Sequence, residues 1–67
     1  MVKLRLAAIR VNMGLTQEEF AEKMGVSRTT VLEWENDKRE MRLPYLKLLC
    51  ELSGLNEDDI ILPINNT

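Results

Sequence analysis

The sequence predicts an all-α fold: a compact bundle of four to five short helices with a short extended C-terminal arm. Three observations predict it. Apolar residues recur at helical spacing along most of the 67 residues. Capping residues and glycines stand at the joins between those stretches. Near the end, Ile60-Ile61-Leu62-Pro63-Ile64 breaks the helical pattern with an apolar, β-branched run suited to extended chain. The whole of 1–67 reads as one small domain.

The first helix spans about residues 3–13, where Leu6, Ile9, Arg10 and Met13 fall on one face, and Gly14 ends it. The second spans 17–24. Thr16 is its cap, Glu19 stands three residues on to complete a capping box, and Leu15 and Phe20 are spaced as a hydrophobic staple. Gly25 stops it. The third spans 28–36, with Ser27 as cap and Val26 and Val31 at staple spacing. The fourth spans 43–53, with Pro44 in the first turn, where its missing N–H costs nothing, and Gly54 after the end. A fifth, short turn begins at Asn56, where Glu57, Asp58 and Asp59 suit the positive end of a helix dipole.

Composition excludes several functions. There is no His and one Cys, so neither a four-ligand Cys/His zinc site within one chain nor catalysis by a His base is available. An enzyme is therefore not expected, and neither a cofactor nor a small-molecule ligand is implied. No apolar run approaches the roughly 20 residues that span a bilayer, and Lys3, Arg5 and Arg10 interrupt the start, so a cytoplasmic protein is expected. Nine Lys/Arg and eleven Asp/Glu give a net charge of -2. Eight bases and seven acids fall in residues 1–42, against one base and four acids in 43–67. A basic footprint for nucleic acid is thus local, not global.

Two short helices joined by Gly25-Val26-Ser27 have the form of a helix-turn-helix, here residues 16–36. The string from Leu15 to Asn36, LTQEEFAEKMGVSRTTVLEWEN, resembles the phage repressor/Cro (XRE-type) family of helix-turn-helix domains. The resemblance covers residues 3–62 and is strongest from 15 to 36. It implies a lambda-repressor-like bundle and a small transcriptional regulator, a repressor in the first place. Such a regulator is encoded by a bacterium or phage and acts on double-stranded DNA in the nucleoid.

The third helix carries the specificity in this reading. With Ser27 as cap, Val31 and Glu35 share one face with Trp34 at its flank, and Thr29, Leu32, Glu33 and Asn36 lie on the other, with Arg28 at its edge. The major groove admits one helix, and the first turns of a recognition helix meet the base edges. Arg28 matches guanine O6 and N7, Thr29 suits a hydrogen bond or the thymine methyl, Glu33 accepts from cytosine N4, and Leu32 adds apolar contact. Ser27 stands at a helix N-terminus, where phosphate is favoured. By resemblance, Gln17 clamps the DNA backbone, and Asn36, Lys38 and Arg39 form the backbone-contacting loop, with Arg42 a weaker candidate.

Arg10 and Glu35 each interrupt an apolar face, so each needs a partner. The resemblance implies that they pair with one another as a structural contact. Trp34 reads as core. Where the family has Gly after Glu-Asn, this chain has Asp37, a residue that tolerates left-handed backbone. One recognition helix reads few base pairs, so a homodimer on a pseudo-palindromic operator is expected. Leu55, Ile60, Ile61, Leu62 and Ile64 are the expected dimer surface, as an apolar arm that a symmetry mate would cover. The competing reading is a protein-interaction module, such as an antitoxin that uses the same fold to hold a protein partner.

Overall fold

Four helices form where the caps and glycines place them. In the computed structural model, which describes residues 3–62 and the backbone of 64 and 65, they are α1 (Leu6–Asn12), α2 (Gln17–Met24), α3 (Arg28–Glu35) and α4 (Leu43–Ser53). α2 opens with a complete capping box. The Thr16 hydroxyl accepts from the Glu19 N–H at 3.1 Å, and the Glu19 carboxylate accepts from the Thr16 N–H at 2.9 Å. That backbone N–H, then the Thr16 hydroxyl, holds the Glu19 carboxyl below its ordinary pKa. Gly25 closes α2 at φ 71°, a left-handed conformation that costs a residue with a Cβ. Two residues later Ser27 caps α3 by accepting from the Thr30 N–H at 3.2 Å.

α3 ends one residue earlier than its pattern suggests, with Asn36 as the cap. Asp37 then takes φ 58°, the one positive value outside glycine among the described residues. The Lys38 N–H reaches back to the Glu33 carbonyl at 2.8 Å, so the chain folds over the end of α3. The expected fifth turn is a 3-10 helix, Glu57–Asp59, whose Asp59 carboxylate accepts from the Asn56 N–H at 3.1 Å.

Four two-residue strands depart from a purely helical reading. β1 (Leu4–Arg5) precedes α1 and takes the place of its expected first turn. β2 (Met41–Arg42) precedes α4, and β3 (Ile60–Ile61) and β4 (Ile64–Asn65) follow the 3-10 helix. β1 pairs with β3 in parallel, with Leu4 opposite Ile60, and β2 pairs with β4 in parallel, with Met41 opposite Ile64. The C-terminal segment is thus bound within its own chain.

This changes the expected dimer arm. Ile60 is 7% exposed and belongs to the core, so it is withdrawn from any contact with a second copy. The physical reason is the strand pairing, which satisfies the backbone of 60–61 on β1 and turns alternate side chains inward. Leu55 and Leu62 are also partly covered by the core, whereas Ile61 faces outward at 40% exposure. The side chain of Ile64 lies outside the described residues.

The core draws on every helix. Leu6 and Ile9 come from α1, Phe20, Ala21 and Met24 from α2, Val31 and Trp34 from α3, and Leu46 and Leu49 from α4, joined by Met41 and Ile60 from the strands. Trp34 is buried in it, with its ring centroid 5.5 Å from that of Tyr45 in a tilted arrangement. Its indole Nε1 is buried, with no hydrogen-bond partner among the described residues. α2 and α3 share the most extensive helix contact, so the two helices of the motif pack against each other as a pair.

Candidate nucleic-acid interface

The burial of Val31 and Trp34 decides which side of α3 faces out. Arg28 and Thr29 are exposed, and Leu32 and Glu33 are half-buried at the edge of the same outward side. Asn36, Lys38 and Arg39 continue the exposed surface past the helix end. The Asn36 side chain turns back on α3, donating to the Leu32 carbonyl at 2.9 Å. The Ser27 hydroxyl is likewise occupied, by the Thr30 N–H and by the Thr30 hydroxyl at 3.1 Å. Each keeps hydrogen-bonding capacity beyond those contacts.

A chain of polar side chains runs from α1 to the start of α3. Arg10 Nε donates to Glu35 Oε2 at 2.7 Å, with the two side chains only 15% and 9% exposed. Arg10 Nη1 also donates to the Leu15 carbonyl at 2.8 Å, which ties α1 to the entrance of α2. The second oxygen of Glu35 accepts from Gln17 Nε2 at 3.1 Å. Gln17 Oε1 in turn accepts from Arg28 Nη2 at 3.2 Å. The orientation of the Gln17 amide follows from its neighbours, because a carboxylate only accepts and a guanidinium only donates. Among the described residues, one of the two Gln17 amide hydrogens has no acceptor.

The contacts of Gln17 with Glu35 and Arg28 were not legible in the sequence, and neither were two ion pairs. Arg39 Nη2 lies 2.8 Å from Glu33 Oε1, and Arg5 Nη1 donates to Asp37 Oδ2 at 3.3 Å on the surface. Neither follows a helical or strand spacing, since the turn at Asp37 sets the first and the N-terminal strand the second. Beside α3, a recess of about 430 Å³ is lined by Thr30, Trp34, Arg39, Glu40, Arg42 and Tyr45, among others. Arg39 and Arg42 therefore stand on one side of α3 with a single acid, Glu40, in the same lining.

Among the described residues no group of three or more His, Cys, Asp or Glu is arranged to hold a metal ion. Burial, followed by the Glu57 and Asp59 carboxylates, pushes the Cys50 thiol pKa up, so it is a poor nucleophile at neutral pH. Among the described residues no helix is long and apolar enough to cross a membrane.

Two capped helices joined by a tight turn, the second presenting a polar row outward, define a helix-turn-helix domain. The chain belongs to the helix-turn-helix family, whose model matches residues 6–60. It is 32% identical over 57 residues to the HTH-type transcriptional activator BcrR of Enterococcus faecalis, covering 85% of this chain and 28% of that protein. It is 33% identical over 61 residues to an uncharacterised HTH-type transcriptional regulator, MJ0272, of Methanocaldococcus jannaschii, covering 91% of this chain and 92% of that protein. No solved structure matches it.

Proposed function

We propose that the chain binds double-stranded DNA in a sequence-specific manner as a small transcriptional regulator, with α3 in the major groove. The observation that carries this reading is the outward row of Arg28, Thr29, Leu32 and Glu33 on a helix whose opposite face is locked into the core. Arg28, Thr29, Glu33 and Leu32 read base edges, and Gln17, Ser27, Asn36, Lys38 and Arg39 hold phosphates on either side. The similar regulators support the regulatory role, and one of them is named as an activator. The sign of regulation then follows from where the operator lies. We place this chain as a repressor, which needs nothing beyond occupancy of promoter DNA.

The protein acts in this reading as a homodimer on a pseudo-palindrome with half-sites about 34 Å apart. Among the described residues of the C-terminal segment, Ile61 is the exposed apolar one left to meet a second copy. The test is selection of binding sites from random duplex DNA at fixed salt, with the mass of the bound species recorded. A palindromic motif bound by two chains is the expected result. Failure to enrich any duplex would sink the reading and direct attention to a protein partner.

A further inference from the structure

Glu33 sits awkwardly on a DNA-binding surface. Duplex DNA carries one negative charge per about 1.7 Å of its axis, and a bare carboxylate in the groove is repelled by it. The structure gives this carboxylate a partner. Its Oε1 is closed off from solvent and accepts no hydrogen bond among the described residues, but it lies 2.8 Å from Arg39 Nη2 as an ion pair. The side chain as a whole stays 35% exposed, and among the described residues no hydrogen bond reaches Oε2. The left-handed turn at Asp37 and the Lys38 N–H bond to the Glu33 carbonyl bring Arg39 back over the helix it has just left.

We propose that Arg39 is the positioning residue that makes Glu33 able to read a base. The guanidinium offsets the carboxylate charge and draws Oε1 toward itself. Oε2 is then held toward the groove as an acceptor for an exocyclic amino group, cytosine N4 by the usual pairing of carboxylates. Arg39 is itself 53% exposed, so its remaining donors stay available to a phosphate and couple the base contact to a backbone contact. This inference rests on the DNA-binding reading above and deepens it: a residue expected to contribute only sequence-independent affinity also sets specificity.

The experiment compares wild type, Arg39→Ala, Glu33→Ala and the double variant on the selected duplex and on duplexes changed one base pair at a time, at fixed salt. Arg28→Ala is included to mark the base pair that Arg28 reads. The side chains at 33 and 39 lie outside the core, and circular dichroism verifies that each variant is folded. Arg39→Ala is expected to lose about tenfold discrimination at the same base pair as Glu33→Ala, and none at the Arg28 position. In the Glu33→Ala background, Arg39→Ala should lower affinity for all sequences alike. The proposal is overturned if Arg39→Ala weakens every sequence equally in both backgrounds, or if Glu33→Ala alters no base preference. A wild-type protein that binds no duplex overturns the DNA-binding reading itself, an outcome that the wild type alone reveals.

Discussion

At the residue scale, the Arg10 guanidinium joins three elements, because it donates to Glu35 on α3 and to the Leu15 carbonyl ahead of α2. Replacing it with an apolar residue leaves a mostly buried carboxylate without a counter-charge. Arg10→Met is expected to destabilise the protein by about 3–5 kcal/mol, and Arg10→Met/Glu35→Leu to recover much of that loss, both read by urea denaturation. A single variant as stable as wild type would show that the pair is not needed by the fold. The surface residues divide by the kind of DNA contact assigned to them. Arg28→Ala should relax preference at one base pair by about 1–3 kcal/mol, while Lys38→Ala should weaken all sequences alike and lower the salt slope by about one. Identical behaviour of the two across sequences would remove Arg28 from base reading.

At the element scale, helix ends carry the energy that single residues report. Thr16→Ala removes the side-chain half of the α2 capping box and should cost about 1 kcal/mol of stability in thermal or chemical unfolding. The other half is titratable. Because the Glu19 carboxyl is depressed in the folded state, its contribution is present above the ordinary carboxylate pKa and is lost as pH falls through the folded value. Glu19→Gln should therefore flatten the acid limb of the stability profile, and an unchanged limb would show that the box does not couple to pH. The turn after α3 is a second such point. Asp37 at φ 58° tolerates what a β-branched residue does not, so Asp37→Val should lose about 1–2 kcal/mol. It should also displace Arg39, which stands beyond that turn. These ends were legible from the order of residues, since a cap, a carboxylate three positions on and a glycine act within one turn of helix. The exact start of α1 was not, because Leu4 and Arg5 are held by a strand from the far end of the chain.

At the scale of the whole molecule, the parallel pairings of β1 with β3 and of β2 with β4 clasp the ends of the bundle together. A short chain buries a small share of its surface, and this clasp adds Ile60 to a core that the helices alone would leave open. Shortening the chain before Ile60 is thus expected to unfold the protein rather than release a monomer. The dimer is tested instead by Ile61→Lys, whose side chain faces outward. Light scattering should give a folded monomer for that variant against a dimer for wild type. A dimer that survives the substitution would place the interface on another face.

Residue order alone settles what depends on neighbours within a few positions: the presence of four helices, the caps of α2 and α3, the turn of the motif and the row from Arg28 to Glu33. Helical periodicity by itself also sorts Val31 and Trp34 to the inside, because their spacing puts them on one side of α3. Three features depend instead on the tertiary fold, each a contact between residues that no spacing rule relates. Gln17 meets Glu35 and Arg28 because α2 packs against α3, and Arg39 meets Glu33 because one left-handed residue reverses the chain. The C-terminal arm, apolar enough to suit a partner, binds its own N-terminus because the bundle brings the two ends side by side. Hydrophobicity required that the arm be covered; the path of the chain decided by what.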